Sequence, residues 1–155
     1  MIEVEVEDEA WARALTDPEA LVRQAAEAAA RGKTGEIVVL LTDDDTLQEL
    51  NARFLAKDRP TNVLSFPAGT DARLGDVALA FGVCHAEASE QGKPLADHLR
   101  HLVVHGVLHL LGYDHEAEND AARMEALERQ LLAEMNIPDP YAEAGRAGAD
   151  VRNRT

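Results

Sequence analysis

The segment His105-Gly106-Val107-Leu108-His109-Leu110-Leu111-Gly112-Tyr113-Asp114-His115 carries three histidines in the spacing H-x3-H-x5-H. A neutral imidazole nitrogen is a good ligand for zinc and related metals. Four residues apart on a helix, His105 and His109 are offset by about 40° and by about 6 Å along the axis, so both rings reach one point. Gly112 suits a left-handed helix end, and the turn it allows swings His115 back toward the same point. Three imidazoles with a fourth position open form the ligand set of a catalytic zinc site, where water takes the open place. The expected cofactor is one zinc ion per chain, held by His105, His109 and His115.

Six histidines are present, and four of them, His98, His101, His105 and His109, fall within an arc of about 80° on one helix. A polar stripe facing water is the bland explanation. Against it, the neighbours Val103, Val104, Val107 and Leu108 would make a poor exposed surface. The run also has the spacing of the zinc-peptidase pattern H-E-x-x-H-x-x-G-x-x-H. One position differs: the glutamate that serves such peptidases as general base is replaced by Gly106. The metal set is kept and the peptidase base is lost.

Stepping outward from the histidines, short elements alternate along the chain. Ile2, Val4 and Val6 alternate with Glu3, Glu5 and Glu7, the period of a strand with one wet face. Asp17-Pro18-Glu19 opens a helix that stops at Gly32, with Leu21, Val22, Ala25 and Ala29 inward. Residues 36–41 (EIVVLL) read as a buried strand. Thr42-x-x-Asp45 resembles a capping box, and the helix after it carries Leu47, Leu50 and Phe54 on one side. Strands are expected at 62–66 and 74–80, and a helix at 83–91 ending at Gly92. Pro94 then starts the histidine helix, and a last helix spans 119–136 with Met124, Leu127, Leu131 and Met135 inward. The sum is an α+β fold with a small four-stranded mixed sheet, about five helices and a zincin-like active-site helix packed beneath the sheet.

At 155 residues the chain fits one catalytic domain over 1–141, with a patternless tail at 142–155 expected to be mobile. No apolar run approaches membrane-spanning length and no signal peptide is visible, so a cytoplasmic protein is expected. Cys84 is the only cysteine, which excludes an internal disulfide and reads as a packed side chain. With 29 acidic against 15 basic residues the net charge is -14, which repels polyanions at long range and argues against nonspecific nucleic-acid binding. A local exception lies between Asn51 and Asn62, where Arg53, Lys57 and Arg59 face Asp58 alone. Solvation of these residues at a helix end is the plainer account.

Three motifs resemble the bacterial YbeY group of endoribonucleases and rRNA maturation factors: residues 50–67 (LNARFLAKDRPTNVLSFP), Leu74-Gly75-Asp76-Val77, and residues 101–115 (HLVVHGVLHLLGYDH). They cover about half the chain in the order of the family. The resemblance implies a single α+β domain, zinc held by His105, His109 and His115, and His101 beside the site as a supporting or substrate-facing group. It also implies a cytoplasmic role in ribosome biogenesis, including 16S rRNA 3′-end maturation and ribosome quality control. The partners it implies are rRNA and the small ribosomal subunit with its proteins; no membrane and no DNA are expected. One position departs from the pattern: Leu55 stands where family members carry an arginine thought to contribute to cleavage.

The expected chemistry is metal-assisted phosphodiester hydrolysis of single-stranded RNA. Lys57, with Arg59 or Arg53, would neutralise phosphate charge as it grows. Asp114 either orients a ligand or takes a proton, or else serves as a turn residue. Asp76 is expected to cap a strand end, and Ser65 to pack or hydrogen-bond. Two other readings stand beside this one: a zincin-like metallopeptidase, disfavoured by Gly106, and a non-catalytic ribosome assembly factor stabilised by zinc. An acidic surface would suit a basic ribosomal-protein partner in the last case.

Overall fold

A computed structural model describes residues 1–113 and 118–142. The elements run β1 (Ile2–Val6), α1 (Ala10–Ala14), α2 (Pro18–Ala30), β2 (Glu36–Thr42), α3 (Asp44–Leu55), β3 (Val63–Pro67), β4 (Arg73–Ala80), α4 (Phe81–Gln91), α5 (Leu95–Leu110) and α6 (Glu118–Glu134). The four strands form one mixed sheet in the order β1-β2-β4-β3. β1 lies parallel to β2 and β2 to β4, while β3 returns antiparallel to β4. The α+β class and the four-stranded mixed sheet are those expected from the sequence. No helix among the described residues is long and apolar enough to cross a membrane.

Two local readings are corrected. α1 was not expected, a single turn too short to stand alone. It exists because Trp11 is fully buried, donates its indole N–H to Thr42 O at 3.0 Å and meets Phe81 edge-on. The cap of α3 is Asp43 rather than Thr42: Asp43 Oδ1 accepts the Thr46 N–H at 2.8 Å. Thr42 is still engaged in β2, paired with Ala80. Asp17 caps α2 as expected, accepting the Ala20 N–H.

The two sheet faces differ. On the inner face Ile37, Val39, Leu41, Val77 and Leu79 are fully buried against α2 and α5. α5 adds Leu99, Val103, Val104, Val107 and Leu108, each contributing about 1.5–3 kcal/mol by leaving water. α2 offers the small residues Ala25, Ala26 and Ala29, which let it lie close to its neighbours. On the outer face α3 covers β3 and β4, with Leu47 and Leu50 in one cluster with Leu64, Phe66 and Ala78. A groove of about 600 Å³ remains beside it, floored by Val38, Leu40 and Phe54 and edged by Glu5, Glu7 and Asp76. Phe54, read on the same side of α3 as Leu47 and Leu50, is 59% exposed there.

α5 sits against the sheet at Gly106. A Cβ at that position would stand 2.7 Å from Val77 Cγ1 and 3.2 Å from Ser65 Oγ. Ser65 Oγ donates to Gly106 O at 2.9 Å, fixing β3 to the histidine helix. Gly106 is therefore a packing requirement, and there is no space on that side of the helix for a longer side chain.

Candidate metal centre

With Gly106 against the sheet, the histidines emerge on the flank of α5 that α6 covers. They are not a water-facing stripe: His98, His101 and His105 are 0%, 5% and 8% exposed. Burial of three imidazoles on one helix needs partners, and the principal one is Glu128 of α6, itself fully buried. Glu128 Oε1 lies 2.7 Å from His101 Nε2, and Glu128 Oε2 lies 3.2 Å from His105 Nδ1. Tyr141 Oη donates to Glu128 Oε1 at 2.7 Å.

These contacts set the proton positions. An ionised carboxylate only accepts, so the ring nitrogens that face it carry N–H. His105 is thereby protonated at Nδ1 and presents a lone pair at Nε2. Burial alone would raise the Glu128 pKa, but the hydrogen bonds and charges of His101 and His105 outweigh it and hold the carboxyl well below its usual range. For His101, burial dominates and pushes the pKa down despite the attraction of Glu128. The neutral form leaves His101 Nδ1 as a buried acceptor with no hydrogen-bond partner.

The Nε2 atoms of His105 and His109 stand 3.1 Å apart, with ring centroids at 4.6 Å and planes at 82°. Two nitrogens bound to one zinc at 2.0–2.1 Å with a tetrahedral angle are about 3.3 Å apart. The pair has the separation of two ligands of one ion. Behind it, the contact from His105 Nδ1 to Glu128 is the carboxylate–histidine arrangement that fixes a ligating ring. His101, His105 and Glu128 also bring one potential ligand atom each within 4.8 Å of one another, so this buried group could hold a metal ion.

Of the residues picked out in the sequence, His105 and His109 are brought together. Asp114 and His115 lie outside the described residues, as does nearly all of the tail reading for 142–155. His101 is buried against Glu128 and Tyr141, surroundings that suit a supporting role and not contact with substrate. Lys57 and Arg59 are exposed in the loop between α3 and β3; among the described residues neither is in an ion pair. Arg53 is paired with Glu49 at 2.8 Å and lies over the Phe54 ring. Leu55 ends α3 and is 44% exposed. Asp76 does not cap a strand end: it sits within β4 and pairs with Arg73 at 2.8 Å, because its position points to the open outer face. Cys84 is packed, fully buried.

Sequence reasoning missed Glu128. The signal was available: Met124, Glu128, Leu131 and Met135 follow one another at spacings of four, three and four, so a carboxylate interrupts the apolar stripe of α6. Such a charge needs a buried partner.

The family model described as Endoribonuclease YbeY matches residues 3–136. The chain is 49% identical to the Endoribonuclease YbeY of Rhodopseudomonas palustris over 157 residues, covering 93% of this chain and 82% of that one. It is also 49% identical to the protein of the same name from Paramagnetospirillum magneticum, with 92% and 96% covered. The Maricaulis maris protein of that name is 45% identical, with 90% and 91% covered. The solution structure of TM1509 from Thermotoga maritima superposes with a TM-score of 0.59 at 26% identity, covering 88% of this chain and 92% of that one.

Proposed function

The chain belongs to the YbeY family, and on that premise we propose that it is a cytoplasmic, zinc-dependent endoribonuclease. It cuts single-stranded RNA in maturing the 3′ end of 16S rRNA and acts in ribosome biogenesis and quality control. The observation that carries the metal chemistry is the approach of His105 Nε2 to His109 Nε2 at 3.1 Å, with Glu128 fixing the far side of His105. RNA as substrate rests on the family, whose relatives are named endoribonucleases.

His105, His109 and His115 would hold the ion, and Glu128 would orient His105 through Nδ1. When bound, zinc supplies a Lewis acid and lowers the pKa of a bound water to about 7. Lys57 and Arg59 contribute positive charge to the phosphate that is cut, where charge grows in the transition state. Asp114, adjacent to a ligand, takes a proton or orients His115. The peptidase reading is disfavoured by Gly106, since no glutamate fits between α5 and Val77.

The substrate RNA and the small ribosomal subunit are the proposed partners, with no DNA and no membrane. A basic ribosomal protein is the protein partner best matched to the outer groove, where Glu5 and Glu7 border the apolar side chains of Val38, Leu40 and Phe54.

The test is paired. Metal analysis of the purified chain is expected to give one zinc per chain, and structured rRNA fragments are expected to be cut while casein stays intact. His109→Ala should lose both zinc and RNA cleavage. Cleavage that persists without zinc would assign the activity to a contaminating nuclease; zinc binding without cleavage would favour the assembly-factor reading.

A further inference from the structure

A second buried polar cluster lies two turns along α5 from the metal centre. His98 is fully buried, and its Nε2 lies 2.8 Å from Glu87 Oε1 of α4. Asn62, 1% exposed, donates through Nδ2 to the same carboxylate at 3.0 and 3.3 Å. The remaining groups of Asn62 are used as well. Its Oδ1 accepts the Val63 N–H at 2.7 Å, and its carbonyl accepts the Ala80 N–H at 3.0 Å. Packing alone does not call for a carboxylate, an imidazole and an amide in one core position, since apolar residues of similar volume are often as stable.

What the cluster holds is the loop from 56 to 62. Its far end is fixed at Asn51, 3% exposed: the main-chain carbonyl accepts the Lys57 N–H at 3.1 Å, and the side chain donates through Nδ2 to Arg59 O at 3.1 Å. Lys57 and Arg59 are thus carried on a backbone pinned at both ends. They stand outside any ion pair of the described residues in a chain with 29 acids and 15 bases. The anchor at Asn62 is tied to α5 by His98, and β3 is tied to α5 again by Ser65 at Gly106. Seven residues separate His98 from His105, about 10 Å along the helix. The loop and the metal ligands therefore share one rigid support.

We propose that Asn62, Glu87 and His98 are positioning residues that hold the Lys57–Arg59 loop in register with the histidine helix, as a seat for a phosphate of the RNA backbone. The proposal rests on the endoribonuclease reading for its ligand, and on the hydrogen bonds alone for its mechanics. A carboxylate at Glu87 accepts from both α5 and the loop at once, so loss of that group releases the loop while leaving His105, His109 and Glu128 in place.

The experiment uses the zinc-loaded full chain and a fluorescein-labelled single-stranded RNA oligonucleotide. Glu87→Ala is expected to lower kcat/KM about tenfold with zinc content unchanged. Lys57→Ala/Arg59→Ala should lower kcat/KM likewise, and adding Glu87→Ala to it should lower kcat/KM little further, because the two changes remove one function. Glu87→Gln, which keeps a carbonyl acceptor, should restore most of the loss. Independent, multiplying effects overturn the proposal, as does a fall in zinc content that accounts for the lost activity. Hydrogen exchange supplies a readout that needs no RNA. Amides 57–61 should exchange faster in Glu87→Ala while those of α5 keep their protection; unchanged loop exchange overturns the proposal. A wild-type chain that neither binds nor cuts the oligonucleotide would instead overturn the endoribonuclease reading.

Discussion

His105 Nδ1 faces Glu128 Oε2 at 3.2 Å while His105 Nε2 faces His109 at 3.1 Å, so one ring is held from behind and used in front. A carboxylate in that place fixes the tautomer and strengthens the ring as a ligand. Glu128→Gln keeps the volume and removes the charge. It should weaken zinc binding about 10–100-fold without abolishing it, measured by competition with a chromogenic chelator. His109→Ala should abolish it. The reverse order, Glu128→Gln losing zinc and His109→Ala keeping it, would identify His101, His105 and Glu128 as the ligands.

Gly106 separates this site from a peptidase site by steric means. Alanine gains about 1 kcal/mol of helix propensity over glycine, but its Cβ meets Val77 Cγ1 at 2.7 Å. Overpacking of this kind costs about 1–3 kcal/mol, and a β-branched valine has few rotamers with which to yield. Gly106→Ala should be net destabilising in urea unfolding, and Val77→Ala introduced beside it should recover part of the loss. Gly106→Glu should be worse and should show no activity on casein.

These two residues mark what the sequence could and could not disclose. The strand at 2–6, the apolar run at 36–41 and the caps Asp17 and Gly92 depend on local chemistry, and each is found where it was expected, with the alternation ending at Val6, which is exposed. His105 and His109 are legible for the same reason, being one turn apart. α1 was not, because a single turn exists only through the burial of Trp11 against Thr42 and Phe81. Glu128 is 23 residues from His105, and Asn62 is 25 from Glu87; pairings at that range are made by the packing of separate elements. Gly106 was noticed for the base it lacks, whereas the lack of room for a side chain there is set by Val77 and Ser65 on other elements.

If Lys57 and Arg59 meet phosphates, their removal must change the salt dependence of RNA binding as well as its strength. Each contact to a single strand contributes about 0.7 to the slope of log K against log salt. Lys57→Ala and Arg59→Ala should each lower the slope by about that amount, read by fluorescence anisotropy between low and moderate salt. Arg53→Ala should change it less, because Arg53 is already paired with Glu49. Equal slopes for wild type and both variants would remove these residues from the interface.

The groove on the outer face has its own electrostatic signature. Glu5 is raised above its ordinary pKa by a hydrogen bond and charge from Glu3, with Glu7 and Asp76 adding repulsion. A cationic partner relieves that crowding, and apolar side chains of the same partner can cover Phe54 and Leu40. Glu5→Lys should weaken binding of a synthetic peptide of alternating Lys and Leu severalfold at low salt. Glu19→Lys, an equal change of charge at the exposed start of α2, should weaken it less. Equal losses would mean that net charge alone attracts the peptide.

Acid should destabilise the metal-free chain in a defined window. His101 has an ordinary pKa of 6.5 that burial lowers in the fold. Below pH 6.5 the unfolded chain therefore binds a proton that the folded His101 refuses. Stability is full above that pH and falls as the pH drops, by up to about 1.4 kcal/mol per unit. Glu128 acts in the same direction at lower pH. Its carboxyl is held below its ordinary value of 4.5 by His101 and His105, so its contribution is complete above about that value and is lost on further acidification. Urea unfolding at pH 7.5, 6.5 and 5.5 should show the first slope in wild type. His101→Gln should flatten it over this range while lowering stability at pH 7.5, since Glu128 loses a short hydrogen bond. An unchanged slope in that variant would show that His101 is not the group taking up the proton.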